Sequence, residues 1–509
     1  MKPLSGLDGA FLYLETTATP MHVGSVHLFD PARNYDGDFH ADVKRMLAQR
    51  LHLAPVFRRR LAPMPLQFAN PVWVDESEID LDFHVRRIRL PRPGTQAQLE
   101  ASVAELHAIL LDRDRPLWML YVFDGLKTGR LAYYVKIHHA VLDGASGVAL
   151  AHAMFDVAPE PPRTLPRPAR RVPVGSRVPG IVGLAAAAFK HDAGQYLKLV
   201  RHLPEIVRTV ADLVRGGPKR APLRQNFALG PRTPLNVTIS AERAFAAVSL
   251  QLDGVKAIAA CHEATLNDVI LALCSSALRR YLAAHGGIPR KPLIATMPIS
   301  LREAGNAEYT TQATLSLVSL ATHIADPLRR LRTIRDAAGA MKALARSARS
   351  LIPTDFPSIG LPWILGGLAS LYARSRLADA IPPLANVVIS NVPGPPLPLY
   401  AAGARMAAYW PVSIVEHGLG LNITVMSYAG TLGFGLTAAR CALPDPGELA
   451  RMLVEAYEEL NRITRPAPPP TAAKRPRKPK ATAPRRAARM AAPPGSIGRT
   501  TRKRTGQKG

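Results

Sequence analysis

Two long stretches of the chain share one alternation of patterns. In the first, apolar residues recurring every three or four positions predict helices at Asp38 to Leu53 and Ala97 to Leu111. Short, dense apolar runs between them predict strands at Met21 to Phe29, Phe83 to Leu90, Trp118 to Asp124 and Leu131 to Ile137. The last run leads straight into His138; bounded by Arg130 and a histidine pair, it fits a buried strand better than a helix. The alternation resumes near Pro231, with helices predicted at Asp253 to His262, Leu266 to Ala284, Pro327 to Ser350 and Asp445 to Arg462. Strands are predicted there at Ala244 to Leu250, Leu293 to Pro298, Leu384 to Ser390, Gly420 to Tyr428 and Thr431 to Ala438, with Ala429-Gly430 as the turn of a hairpin. Strands and helices interleaved in this way indicate an α/β (α+β) protein of two similar units, residues 1–157 and 231–463.

Residues 158–230 differ. Their first third is dense in Pro and Arg, as in a linker or surface crossover. From Gly180 to Gly216, Leu197, Val200, Leu203, Ile206, Val207 and Val210 recur at helical spacing beside Lys198, Arg201 and Arg208. This amphipathic pair, broken near Pro204, reads as a helical bridge between the units or as a membrane-surface element.

Composition changes this picture at one end only. The formal net charge is +27, and the segment after Thr464 contributes roughly half of it. From Pro466 to Gly509 there is no Asp or Glu, while Lys474, Arg475, Arg477, Lys478, Lys480, Arg485 and Arg486 follow closely. Residues 464–509 read as a disordered basic tail or a polybasic tether to anionic lipid. Specific nucleic-acid binding is not expected, since the tail has no aromatic to stack on a base. Cys261, Cys274 and Cys441 form neither a disulfide framework nor a zinc pattern. With no secretory leader and no uncharged run of about 20 apolar residues, the chain is expected to fold in the cytoplasm and to touch membrane only peripherally.

The candidate chemistry lies in His138-His139-Ala140-Val141-Leu142-Asp143-Gly144. A neutral imidazole can take the proton of an alcohol as its oxygen attacks a carbonyl. Successive residues at a strand end point to opposite sides, so only one of the pair can face a cleft. Gly144 and Ser146 lie in a run of small residues that lets a helix start close to a ligand. A structural His pair and a metal site are the alternatives; no third ligand follows at metal-binding spacing, and no metal is expected.

His138 to Gly144 resembles the HHxxxDG signature of the CoA-dependent acyltransferases related to chloramphenicol acetyltransferase and to peptide-synthetase condensation domains. Leu4-Ser5-Gly6-Leu7-Asp8 with Phe11, Pro20-Met21-His22-Val23-Gly24, Arg115-Pro116-Leu117-Trp118, Leu266-Asn267-Asp268-Val269, Pro298-Ile299-Ser300-Leu301-Arg302 and Ser390-Asn391-Val392-Pro393-Gly394-Pro395 are, in that order, similar to motifs of the bacterial wax ester synthase/diacylglycerol acyltransferase family. The resemblance runs from Leu4 to about Arg462. Met119 departs from it, standing where many relatives carry Glu, which bears on acceptor fit rather than on chemistry.

The resemblance implies two chloramphenicol-acetyltransferase-like domains with the active site at their interface. It also implies His139 as general base, His138 as its support and Asp143 as a structural residue. Asn267, Asp268 and Asn391 are implied to bind substrate or shape the site, although Thr265 also suits a helix N-cap there. Acyl-CoA is then a co-substrate, no cofactor is needed, and the acceptor is diacylglycerol or a fatty alcohol. The apolar segment Pro362 to Leu371 is a second candidate for contact with a membrane or lipid droplet. A related acyltransferase with another alcohol or amine acceptor, and a non-catalytic lipid-droplet protein, are the competing readings.

Overall fold

The computed structural model describes residues 2–4, 6–62, 70–141, 150–151, 153–160, 225–300, 313–347, 367, 371–372 and 374–464. The helices expected between Gly180 and Gly216 and the basic tail lie outside these residues, as does Pro362 to Leu371 except for Gly367 and Leu371.

Two six-stranded sheets organise the chain. The first has the order β12 (Tyr400–Ala401), β13 (Ala404–Val412), β2 (His22–Asp30), β7 (Leu131–His138), β6 (Trp118–Asp124), β5 (Val85–Arg89). The second runs β10 (Ala313–Ser319), β9 (Ile294–Ser300), β11 (Val387–Val392), β14 (Leu421–Tyr428), β15 (Thr431–Ala439), β8 (Arg243–Gln251). A small sheet of β1 (Lys2–Pro3), β4 (Val72–Asp75) and β3 (Arg59–Ala62) accompanies the first. Pairings are antiparallel except β5 with β6 and β11 with both β9 and β14.

Strand β7 shows why the sequence reads as it does. It lies between β2 and β6, and every residue from Ala132 to His138 is buried. A strand covered on both faces needs a continuous apolar run rather than alternation. Its one cation, Lys136, is fully buried and donates to the carbonyls of Leu106 and Ile109, at 2.7 and 2.6 Å. Those are carbonyls at the C-terminal end of helix α4 (Gln96–Ala108), which have no partner within the helix. Thr95 and Gln98 close the opposite end with a capping box.

The expected strand at Phe83 to Leu90 starts late. Asp80 accepts from the Asp82 and Phe83 amides and caps a helical turn, Leu81–His84, so extended backbone begins at Val85. In the second half, helix Leu266–Ala284 is the buried core helix, capped by Thr265. No single helix among the described residues is long and apolar enough to cross a membrane. The 428–431 hairpin forms as expected, with Ala429 and Gly430 both at positive φ.

One arrangement was not legible in the sequence. Strand β13 belongs by position to the second half, yet it pairs with β2 in the first sheet, from Arg405↔Asp30 to Val412↔Gly24. A bulge lies between Met406 and Ala408, and the alternation of burial ends at Trp410, with Pro411 and Val412 both buried after it. As it crosses, its backbone lies on β15: a Cβ at Gly433 would strike the Tyr409 carbonyl oxygen, and one at Gly435 the Pro411 carbonyl oxygen. Trp410 also donates to Ser249 Oγ of β8, at 2.9 Å.

Glycine at 435 is therefore required by space. Gly435→Val should lower the thermal midpoint by an amount equivalent to about 2 kcal/mol or more. Gly430→Asn, at an open turn position that tolerates Asn, should cost little. Equal midpoints for the two variants would show that β13 can shift away at no cost.

Candidate active site

The antiparallel register of β2 and β7 sets His22 opposite His138 and Gly24 opposite Lys136. His138 therefore shares a sheet face with Lys136 and Tyr134. The His22 and His138 rings meet edge to face at 5.9 Å. His139 leaves the strand in a 3₁₀ turn, His139–Val141. Its ring stacks on Phe11 of helix α1 (Gly6–Leu14), with centroids 3.9 Å apart and planes at 24°. The two adjacent histidines thus have separate surroundings, His138 among polar groups and His139 against an aromatic face.

One carboxylate gathers the polar groups. Glu15 Oε1 lies 3.2 Å from His22 Nε2 and 3.3 Å from His138 Nε2, and accepts the Met21 amide at 3.1 Å. Its Oε2 accepts from Arg113 at 2.8 Å. The Met21 carbonyl in turn accepts the His139 amide at 2.8 Å. Further along, His107 Nδ1 is 2.6 Å from the Tyr134 hydroxyl.

Charge follows from burial and these partners. Burial would raise the Glu15 carboxyl, but His138 and His22 outweigh it and hold it well below the usual carboxylate range. Burial lowers His139 to about 4, helped by the neighbouring His138 and opposed slightly by its own backbone. Burial likewise lowers His22 to about 4, against the pull of Glu15, and takes Lys136 down to about 7. At neutral pH, then, the half-buried His139 ring is a neutral base, while Glu15 stays charged.

The second half closes on this cluster. Arg243, buried at the start of β8, donates to the Ala18 carbonyl at 2.6 Å, in the loop joining Glu15 to Met21. His107 Nε2 is 3.0 Å from the Ser413 carbonyl just beyond β13. Gln96 and Glu100 of α4 pair with the Ala247 carbonyl and amide of β8, both at 2.9 Å. The histidine pair thus sits near a seam between the two sheets.

Other expected site residues fall elsewhere or out of view. Asp143, Gly144 and Ser146 lie outside the described residues. Asn267 donates to Met297 Sδ at 3.3 Å. Asp268 is the return arm of a capping box: its Oδ2 accepts from the Thr265 amide and hydroxyl at 2.8 and 2.7 Å. Asn391 lies on β11 opposite Val425. None of these described bonds reaches the histidine pair. Glu15, His107, Lys136 and Arg243 carried no signal as site residues, because each is a single polar residue outside any motif, with at least one partner distant in sequence. His22 and Phe11 stood inside quoted motifs without a role. Among the described residues, no three metal-ligating side chains come together.

Against known proteins, residues 4–270 match the wax ester synthase/diacylglycerol acyltransferase catalytic domain, and residues 311–461 match the WS/DGAT C-terminal domain. A Mycobacterium bovis protein named for diacylglycerol O-acyltransferase activity is 35% identical over 464 residues, covering 89% of this chain and 97% of that one. A similarly named Mycobacterium tuberculosis protein is 34% identical over 466 residues, 90% of each chain. The solved wax ester synthase/diacylglycerol acyltransferase of Marinobacter aquaeolei VT8 is 30% identical, with a TM-score of 0.65 over 91% of this chain and all of that one. The starter condensation domain of rhizomide synthetase, 13% identical over 91% of this chain and 94% of that one, shares the fold with a TM-score of 0.51.

The buried histidines predict acid sensitivity. His22 and His139, both near 4, and His27, lowered to about 3 by burial, take up protons more readily in the unfolded chain, where the ordinary value is about 6.5. Stability should therefore fall as pH drops from about 6.5 towards 4, each group adding up to about 1.4 kcal/mol per pH unit. Urea midpoints at pH 7 and pH 5 measure this; equal midpoints would contradict it.

Proposed function

The chain belongs to the wax ester synthase/diacylglycerol acyltransferase family and is an acyl-CoA-dependent O-acyltransferase of that kind; we propose that His139 is its general base. The observation that carries this reading is the setting of the His139 ring: neutral, half-buried, stacked on Phe11 and placed near the seam of the two sheets. The acceptor is diacylglycerol, giving triacylglycerol, or a fatty alcohol, giving a wax ester.

The reaction then balances without an acyl-enzyme. The acceptor hydroxyl loses its proton to the His139 ring as its oxygen bonds to the thioester carbon. The tetrahedral intermediate collapses with cleavage of the carbon–sulfur bond. The imidazolium returns the proton to the departing thiolate, leaving ester and free coenzyme A. His138 supports the turn from behind. Asp143 and Gly144 belong to the same motif, as a structural residue and its turn partner. Asn267, Ser146 and Asn391 are assigned to shaping the acceptor side. Asp268 is assigned to setting the start of the helix that carries Asn267, in keeping with its capping bonds.

We further propose that the protein rests peripherally on membrane or a lipid droplet, where both acceptors reside. Phe227, Leu229, Leu371, Leu377, Ile381 and Leu384 expose 41 to 63% of their surfaces. The Gly230 amide bonds the Pro383 carbonyl, which brings their two segments together. Arg374 and Arg376 are exposed in the same stretch and suit anionic headgroups.

With palmitoyl-CoA, coenzyme A release should depend on hexadecanol or dioleoylglycerol, and His139→Ala should reduce it about 10² to 10⁴-fold. The acid limb of the wild-type rate should fall near pH 4 rather than 6.5. A folded His139→Ala enzyme of normal rate would remove His139 from this role. For the surface, wild type should float with vesicles of phosphatidylcholine and phosphatidylglycerol, and Leu371→Asp/Leu384→Asp should float less. A wild type that does not float with these vesicles would sink the proposal.

A further inference from the structure

We propose that Glu15 is a positioning residue for His139 that acts through the ring of His138. The proposal rests on the reading of His139 as base. It follows from one hydrogen bond to the His138 imidazole and one carboxylate set beside its other nitrogen. The Ala140 amide donates to His138 Nδ1 at 3.1 Å. A ring nitrogen that accepts carries no hydrogen, so in a neutral His138 the proton sits on Nε2. That nitrogen faces Glu15 Oε1 at 3.3 Å. Glu15 thereby selects the one tautomer that leaves Nδ1 free to hold the Ala140 amide.

The consequence falls on the residue between. The His139 amide is held by the Met21 carbonyl, and the next amide is held by His138. The Met21 amide returns to Glu15 Oε1 at 3.1 Å. The amides of His139 and Ala140 are thus linked to a single carboxylate, one through the Met21 main chain and the other through the His138 ring. The His139 Nδ1 has no hydrogen-bond partner of its own among the described residues. Its ring direction is therefore set by this pinned turn and by the face of Phe11. Arg113, which holds Glu15 Oε2 and also the Leu12 carbonyl at 2.7 Å, fixes the carboxylate from outside. Arg243 braces the same loop through Ala18.

The test compares Glu15→Ala and Glu15→Gln with wild type in full-length enzyme, reading kcat and KM for palmitoyl-CoA. The imidazole tautomers are followed by nitrogen NMR of histidine-labelled protein, with His138→Gln for assignment. Glu15→Ala should lower kcat roughly 10 to 100-fold with KM within about twofold, since a misplaced base slows chemistry more than binding. Glu15→Gln keeps an acceptor oxygen and should recover a substantial part of that loss. Wild-type His138 should be protonated on Nε2 alone, and Glu15→Ala should show a mixture. A folded Glu15→Ala with kcat within about twofold of wild type overturns the proposal, as does a loss confined to KM, or a Glu15→Gln no better than Glu15→Ala. If Glu15→Ala does not fold, the wild-type tautomer and Glu15→Gln still decide: a proton on Nδ1 overturns the proposal. If wild type transfers no acyl group, the functional reading fails, while the tautomer measurement still judges the role of Glu15.

Discussion

The architecture depends on a backbone contact that only glycine permits. Where β13 passes from one sheet to the other, the carbonyls of Tyr409 and Pro411 lie directly on Gly433 and Gly435 of β15. No side chain intervenes, so the separation of the sheets is set by main-chain atoms. Main-chain contact is rigid in a way that interleaved side chains are not. The bonds that reach the reactive region from the second half, Arg243 to Ala18 and His107 to Ser413, are short charge-assisted or buried ones. Such bonds hold their geometry only if the frame behind them does not drift.

Within that frame, electrostatics divides the labour between neighbouring residues. His138 is buried and His139, next to it, is half-buried, yet among the described residues only His138 faces a carboxylate. Glu15 sets its own charge beside the support and leaves the reacting ring against the face of Phe11. Had the carboxylate faced His139, it would have favoured the imidazolium and raised the ring's pKa, leaving less of it neutral. Lys136 completes the balance. It lies on the same face, but its donors are engaged by the end of α4 and burial pulls it towards neutrality. Glu15 can then be buried without a full opposing charge beside it except Arg113, which reaches it from the surface.

Much of this could be read from the sequence, and the reasons are specific. The strand ending on His138 was legible because a strand covered on both faces must be apolar throughout. The 428–431 hairpin was legible because Ala-Gly between two apolar runs has few other conformations. Helix Leu266–Ala284 was legible to its first residue because Thr265 and Asp268 spell out its cap. The resemblance of ordered short motifs placed the family, and the matched domains and relatives agree with it. What stayed hidden depends on pairing at long range. Nothing near Glu15 announces that its partners are His22, His138 and Arg113. Nothing near Tyr409 announces that it will lie beside His27 of β2. The Phe83 to Leu90 strand began late because Asp80 offered its carboxylate to two amides, a local competition that apolar periodicity does not register.

The exchange of β13 also sets an order of events during synthesis. Strand β2 carries residues 22–30 and pairs on one side with β7, which emerges soon after it. Its other edge is filled only by residues 404–412. A ribosome that has already released the histidine pair therefore holds a first sheet with an open, hydrogen-bond-hungry edge for most of the remaining translation time. The nascent chain cannot finish its first half before it has nearly finished its second. The two halves mature as a single object.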